Sequence, residues 1–232
     1  MLELKNIYKA EEIKFADYLR SKQPALLADW LRANPGWFDD VDTISYDHET
    51  SFDDPNLQRT LETQKNNALN AGWKVAPIRG VMYSNDYDQR RENYPTAFEI
   101  VDHFGDACTS SNYSILEPNT MIARHTGGEN RKGLNIRIHV PLIIPEGDVG
   151  FEVWGEEVRW TDIFAFDNQK THSAWNLTNE RRLVFLIDLK REYCDIPKAP
   201  DWYPGCNDDS PLFPKTQREG HIWQSLLKNK NA

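Results

Sequence analysis

The chain changes texture near its middle. Residues 10 to 33 place Phe15, Tyr18 and Leu19, then Leu27, Trp30 and Leu31, at the three- and four-residue spacing that lines one face of an α-helix. Pro24 falls between the two trios, where a proline removes an interior hydrogen bond, so the pattern predicts two short packed helices ending at the breaker Asn34-Pro35-Gly36. A mostly polar helical stretch over about 55 to 71 opens at Asp54-Pro55, a capping residue followed by a first-turn proline, and closes at Ala71-Gly72. From residue 112 onward, β-branched and aromatic runs take over at 113–117, 121–125, 134–144, 149–154, 158–160, 163–166 and 182–189. The linkers Glu117-Pro118-Asn119-Thr120, Thr126-Gly127-Gly128-Glu129, Pro145-Glu146-Gly147-Asp148 and Gly155-Glu156-Glu157 read as hairpin or loop connections.

Short strands with no helical pattern between them predict a mainly β fold with flanking helices. The expected form is an antiparallel jelly-roll barrel, with the N-terminal helices packed on its outer sheet. The expected organisation is one domain: a mainly helical part over 1–80, a jelly-roll core over 82–190, and a C-terminal loop with a short helix near 223–227 over 191–232.

Composition supports a single globule. Of 232 residues, 39 % are hydrophobic and 27 % charged, and the glycines and prolines show no period, which excludes collagen-like and wholly disordered chains. A net charge of −9, with no run of Lys or Arg longer than two, speaks against a nucleic-acid partner. Cys108, Cys194 and Cys206 are odd in number and widely spaced, so neither a disulfide framework nor a CxxC metal clip is expected. Charged residues interrupt the first twenty positions, and no window reaches the ~18 apolar residues of a membrane span. The expectation is a cytoplasmic protein with reduced thiols and no membrane partner. The sequons at Asn112 and Asn176 then read as coincidental.

The histidines supply the chemistry. His48, His103 and His221 lie outside the strand-rich half, whereas His125, His139 and His172 lie within it. His125 ends a strand at a glycine turn, and His172 follows the apolar run Phe164-Ala165-Phe166 across a short polar loop. In a jelly roll, two such strand-end histidines can face each other across the barrel mouth and bind a first-row metal. Arg182 then opens the next apolar strand. A cation facing an apolar interior loses several kcal/mol of solvation unless it meets an anion, so Arg182 requires a carboxylate or phosphate partner, with Asp188 and Asp167 as the structural alternatives. Arg137 and His139 alternate with Ile136 and Ile138, share one strand face, and add to a cationic cluster.

This order of parts, a histidine, a second histidine in a later strand, and an arginine in the strand after that, resembles the Fe(II)/2-oxoglutarate-dependent oxygenases. The carboxylate that usually stands two residues after the first histidine is Gly127 here. The run His125-Thr126-Gly127, the preceding Ser114-Ile115-Leu116-Glu117-Pro118-Asn119-Thr120, the strand Ile136-Arg137-Ile138-His139, the run from Phe166 to Trp175, and Arg182-Leu183-Val184-Phe185 are similar to the aspartyl/asparaginyl β-hydroxylase family over about residues 82 to 190.

The resemblance implies a double-stranded β-helix that binds Fe(II) through His125 and His172, with water in place of the missing carboxylate. It assigns 2-oxoglutarate to Arg182 and Ser114, with Arg137 and His139 completing the pocket, and O2 as the second cosubstrate. Glu129 and Asp167 stand as the two carboxylates that could restore a third ligand, Asp167 fitting better as a group that orients His172 or caps the turn. The implied reaction hydroxylates an unactivated C–H, at the β-carbon of an amino acid or peptide residue, with release of succinate and CO2. In the eukaryotic members an arginine two residues before the Arg137 position helps hold the substrate carboxylate. Asn135 stands there in this chain, which points away from an aspartate side chain, while Arg124 and Arg131 are candidates for a substrate carboxylate and Trp175 for a pocket wall.

Two other classes are weighed beside this one. A cupin-like metal enzyme would be indifferent to 2-oxoglutarate. A non-catalytic jelly-roll binding module would leave Arg182 without an anion and would hold no metal.

Overall fold

The long apolar runs build two antiparallel sheets that bury apolar side chains and a few polar groups between them. The computed structural model describes residues 4–33, 44–45, 72–80, 88–125 and 133–199, with backbone alone at 44–45, 89 and 123–125. Strands β1 (Ile7–Lys9), β2 (Ile44–Ser45), β3 (Trp73–Arg79), β4 (Cys108–Leu116), β6 (Asn135–Ile143), β9 (Phe164–Phe166) and β11 (Arg182–Lys190) form the larger sheet, in the order β1-β9-β6-β11-β4-β3-β2. Strands β5 (Thr120–His125), β7 (Val149–Val153), β8 (Glu156–Val158) and β10 (His172–Asn176) form the smaller one, in the order β5-β10-β7-β8. Chain neighbours are thus sorted between two sheets by crossovers, as in a jelly roll.

Strand parity decides what each face does. On β11, Leu183, Phe185, Ile187 and Leu189 project to the outer face and join Tyr113, Ile115, Ile136, Ile138 and Val140 in one core under the helices. Arg182, Val184, Leu186 and Asp188 project between the sheets, toward Ile122, Phe151 and Ala174 of the smaller sheet. The outer face is covered by α1 (Ala16–Ala33) and α2 (Pro95–Phe104). The buried Asp29 carboxylate of α1 accepts the Thr96 N–H at 2.7 Å in the first turn of α2, which ties the two helices together. The Tyr113 hydroxyl donates to the Leu26 carbonyl at 3.2 Å, tying β4 to α1.

The structure departs from the sequence expectation at three points. Residues 16–33 form one helix rather than two, with Pro24 inside it on the solvent side. Burial of Leu19, Leu26 and Trp30 on one continuous stripe is worth roughly 1.5–3 kcal/mol per side chain, enough to outweigh the ~3 kcal/mol of an interior proline. Strands β1, β2, β3 and β10 and helix α2 lie where the sequence pattern predicts none. The strand read at 158–160 is instead β8, which ends at Val158, and Trp160 lies in the loop beyond. The helices expected over 55–71 and 223–227 lie outside the described residues.

Cys108 and Cys194 are buried free thiols, and burial pushes each up to about 12. No helix among the described residues is long and apolar enough to cross a membrane. Asn176 is fully buried, its amide donating to the carbonyls of Leu116, Glu117 and Glu180 at 2.7–3.2 Å. That network clamps the end of β10 and keeps this sequon asparagine from the surface.

Candidate active site

A small cavity of about 30 Å³ opens between the sheets. The larger sheet lines it with Trp73, Ser114, Arg137, His139, Phe166, Arg182 and Leu186, the smaller with Ile122, Phe151, His172 and Ala174, and the β8–β9 loop with Trp160. Pairing explains the convergence. Val184 stands opposite Ser114, Leu186 opposite His139, and Asp188 opposite Arg137, so Arg182, Ser114, His139 and Arg137 share one inward face.

Arg182 is the cavity's unmet charge. It is 1 % exposed, its Nε has no acceptor, and it makes no hydrogen bond or ion pair among the described residues. Desolvation lowers its guanidinium to about 9, which still leaves it a cation at neutral pH. Its Cζ lies 4.9 Å from the centroid of the Trp160 ring. The two carboxylates considered as its structural partners are committed elsewhere. Asp188 takes Arg137 in a fork of two 2.7 Å hydrogen bonds, and Asp167 takes the buried Arg191 at 2.7 Å.

Among the described residues the expected cationic cluster therefore reduces to a single unmatched cation. Arg137 lines the cavity, but its charge is matched by Asp188. His139 is buried, and desolvation, followed by Arg182 and Arg137, holds it well below its usual range, hence neutral. Its Nδ1 accepts the Trp160 indole N–H at 2.9 Å, so the ring proton belongs on Nε2. The Ser114 hydroxyl accepts the Trp73 indole N–H at 3.0 Å, and its own hydrogen has no acceptor among the described residues. Arg182, Ser114 and His139 thus each present an unused donor, the complement of a carboxylate.

His172 is buried at the start of β10, where its ring packs against Phe166 and Phe151, at centroid separations of 4.9 and 5.8 Å. Its Nδ1 lies 2.8 Å from the Lys170 carbonyl, a contact that requires the N–H on Nδ1 and leaves the lone pair on Nε2, the state in which imidazole binds metal. The backbone register sets His125 of β5 directly across from His172, with a bulge before Ala174. A buried imidazole in its ligating tautomer, a second histidine at the facing backbone position, and an orphaned guanidinium fit a metal with an anionic cosubstrate.

Among the described residues no group of three His, Cys, Asp or Glu side chains is assembled for a metal. Asp167 is spent on Arg191, and its Oδ1 accepts the Gln169 N–H at 3.1 Å, so it caps the turn and the Lys170 carbonyl, not Asp167, orients His172. Arg131, Glu129 and Gly127, and the side chains of Arg124 and His125, lie outside the described residues. Trp175 does not line the cavity. It pairs with Gly150 and Met121 on the opposite face of the smaller sheet from Ala174, and its indole donates to Asp148 at 2.9 Å. Asn135 lies at the start of β6, beyond the cavity lining, and its carbonyl accepts from Arg191 Nε at 3.0 Å.

Sequence reasoning missed Trp73 and Trp160 as cavity groups. The signal for Trp160 was available: an aromatic ending a short strand before the polar Thr161-Asp162 step, with no reason to be exposed.

Fold and site together define a two-sheet jelly-roll protein whose inward face carries a buried, unmatched guanidinium beside neutral donors. The chain belongs to the aspartyl/asparaginyl beta-hydroxylase family, whose model matches residues 39–192. It is similar to the aspartyl/asparaginyl beta-hydroxylase of Mus musculus, 30 % identical over 79 residues, covering 33 % of this chain and 10 % of that protein. It is also similar to the ornithine lipid ester-linked acyl 2-hydroxylase of Rhizobium tropici, 29 % identical over 152 residues, covering 64 % of this chain and 52 % of that one. The chain thus spans about half of one relative and a tenth of the other. A solved 2OG-Fe(II) oxygenase family oxidoreductase from Burkholderia pseudomallei aligns with a TM-score of 0.39 at 12 % identity, over 75 % of this chain and 92 % of that one.

Proposed function

We propose that this protein is an Fe(II)- and 2-oxoglutarate-dependent dioxygenase that hydroxylates an unactivated C–H, at the β-carbon of an amino acid or peptide residue, in the cytoplasm. The observation that carries this reading is Arg182: a buried guanidinium with no partner among the described residues, while its two candidate carboxylates hold other arginines. A ligand carboxylate is what such a group lacks.

In this reading His125 and His172 hold the iron without a protein carboxylate, and Arg182 takes the far carboxylate of 2-oxoglutarate as a bidentate fork. The Ser114 hydroxyl and His139 Nε2–H add neutral donors to the same ligand, and Arg137 stays with Asp188 at the side of the pocket. The bound iron supplies O2 chemistry that couples decarboxylation of 2-oxoglutarate to succinate and CO2 with substrate oxidation. Phe151, Phe166, Ile122 and Leu186 keep water from the reacting end. Lys170 fixes the tautomer of His172 through its carbonyl.

The test is succinate formation from 2-oxoglutarate with Fe(II) and O2. Wild type is expected to turn over, and Arg182→Lys to need roughly ten- to a hundredfold more 2-oxoglutarate. A single ammonium loses the fork, a charge-assisted contact worth about 1.5–3 kcal/mol. Metal-dependent activity indifferent to 2-oxoglutarate would favour the cupin-like alternative. An oxidation screen over Asp-, Asn- and His-containing peptides, the free amino acids and an acyl-chain lipid tests the substrate class. Oxidation confined to the lipid would overturn the amino-acid assignment alone.

A further inference from the structure

We propose that Trp160 is a positioning residue, whose indole N–H locks His139 in the tautomer that donates from Nε2 while its ring face backs the Arg182 guanidinium, so that both donors meet one carboxylate. The identity of that carboxylate rests on the 2-oxoglutarate reading above; the tautomer lock does not.

Geometry carries the inference. Trp160 is buried, at 3 % exposure, and the loop after β8 turns it into the cavity. Its Nε1 lies 2.9 Å from His139 Nδ1, and the two rings are nearly coplanar, with a 6° angle between planes and centroids 6.0 Å apart. That is an in-plane hydrogen bond rather than a stack. An indole N–H only donates, so Nδ1 must accept and the neutral imidazole must keep its proton on Nε2. Nε2 makes no hydrogen bond among the described residues. Left alone, a neutral histidine can carry its proton on either nitrogen, and with Nε2 as an acceptor it would set a lone pair against an anion. The same tryptophan lies 4.9 Å from Arg182 Cζ, where the negative ring face holds a cation that has no other partner among the described residues. One side chain therefore decides both the polarity of His139 and the seat of Arg182.

Trp160→Phe separates the two roles, since phenylalanine keeps a ring face and loses the N–H. Nitrogen-15 spectra of the metal-free protein distinguish the histidine tautomers directly. His139 of wild type is expected to be a pure Nε2–H form, with a Trp160 indole proton slow to exchange, and the variant to show a mixture. In Fe(II)-loaded protein kept anaerobic, the variant is expected to bind 2-oxoglutarate several-fold, up to about tenfold, more weakly, in line with the loss of one neutral hydrogen bond. In turnover the loss should appear in KM for 2-oxoglutarate and leave kcat at saturation unchanged.

A pure Nε2–H form in Trp160→Phe, or unchanged 2-oxoglutarate affinity beside a mixed tautomer, would overturn the proposal. If the variant does not fold, the wild-type spectrum decides: an Nδ1–H tautomer or a fast-exchanging indole proton refutes the lock. Failure of wild type to bind 2-oxoglutarate with the lock intact would count against the cosubstrate reading and not against Trp160.

Discussion

At the residue scale, the inner seam of the larger sheet is a set of polar groups whose charge states are imposed by burial. His139 is the sharpest case: held well below its ordinary value of about 6.5, it stays neutral in the folded protein, while in the unfolded chain it takes a proton near that value. The unfolded state therefore binds more protons than the folded state once the pH drops below about 6.5. The contribution of neutral His139 is complete above that pH and is lost progressively as pH falls below it. Denaturant unfolding of wild type and His139→Gln across pH 7.5 to 5 is expected to show a steeper acid loss in wild type. Parallel curves would mean that His139 charges in place. The sequence placed His139 on the right face beside Arg137, but not its neutrality, because that follows from desolvation in the folded core and then from the nearby charges of Arg182 and Arg137.

At the element scale, β10 is the strand on which the site depends. It carries His172 at one end, is clamped by Asn176 at the other, and pairs with β5 and β7 on its two sides. Its outer face holds Trp175 flat over Gly150 of β7, where an added Cβ would sit 2.3 Å from Trp175 Cζ2. Gly150→Ala must therefore displace the indole, its hydrogen bond to Asp148, or the strand. The expected loss is about 1–3 kcal/mol, or a Tm lower by roughly 2–12 °C for a chain of this size. Calorimetry checks it, and an unchanged Tm would show that the indole relocates freely. The strand escaped the sequence reading because His172-Ser173-Ala174-Trp175-Asn176 shows no apolar alternation, both faces being buried by different partners. Strand β3 escaped for a related reason: Pro77 interrupts its pattern, and the chain tolerates it at a register shift opposite β4. Pro24 misled in the opposite direction, because the burial that holds α1 together comes from a sheet far away in sequence.

At the scale of the whole molecule, helices shield one face of the larger sheet and the smaller sheet shields the other, so the cavity lies within the second of two apolar cores. A buried Arg191–Asp167 pair, with Arg191 also donating to the carbonyls of Asn135 and Pro197, pins the end of β11, the start of β6 and the loop before β10 together. Occupancy of the cavity should then be felt globally. At a hundred times its dissociation constant, a ligand that binds the folded state alone adds about 2.7 kcal/mol, so Fe(II) with 2-oxoglutarate is expected to raise Tm by roughly 5–11 °C. A chelator should reverse the shift in a thermal melt, and Arg182→Lys should blunt it at subsaturating 2-oxoglutarate.

What the sequence determined by itself is what local pattern and residue type encode: the alternating runs that become the two-sheet barrel, the family motifs, and the inward set of Ser114, Arg137, His139 and Arg182. Only the tertiary structure decided which charge is met. Arg137 finds Asp188, and Arg191 finds Asp167, across strands that no local rule brings together, and those two pairings are what leave Arg182 as the cation awaiting an anion among the described residues. The physical reason is that ion pairing and tautomer choice depend on distance and burial in the folded chain, whereas strand alternation depends only on the neighbours along it.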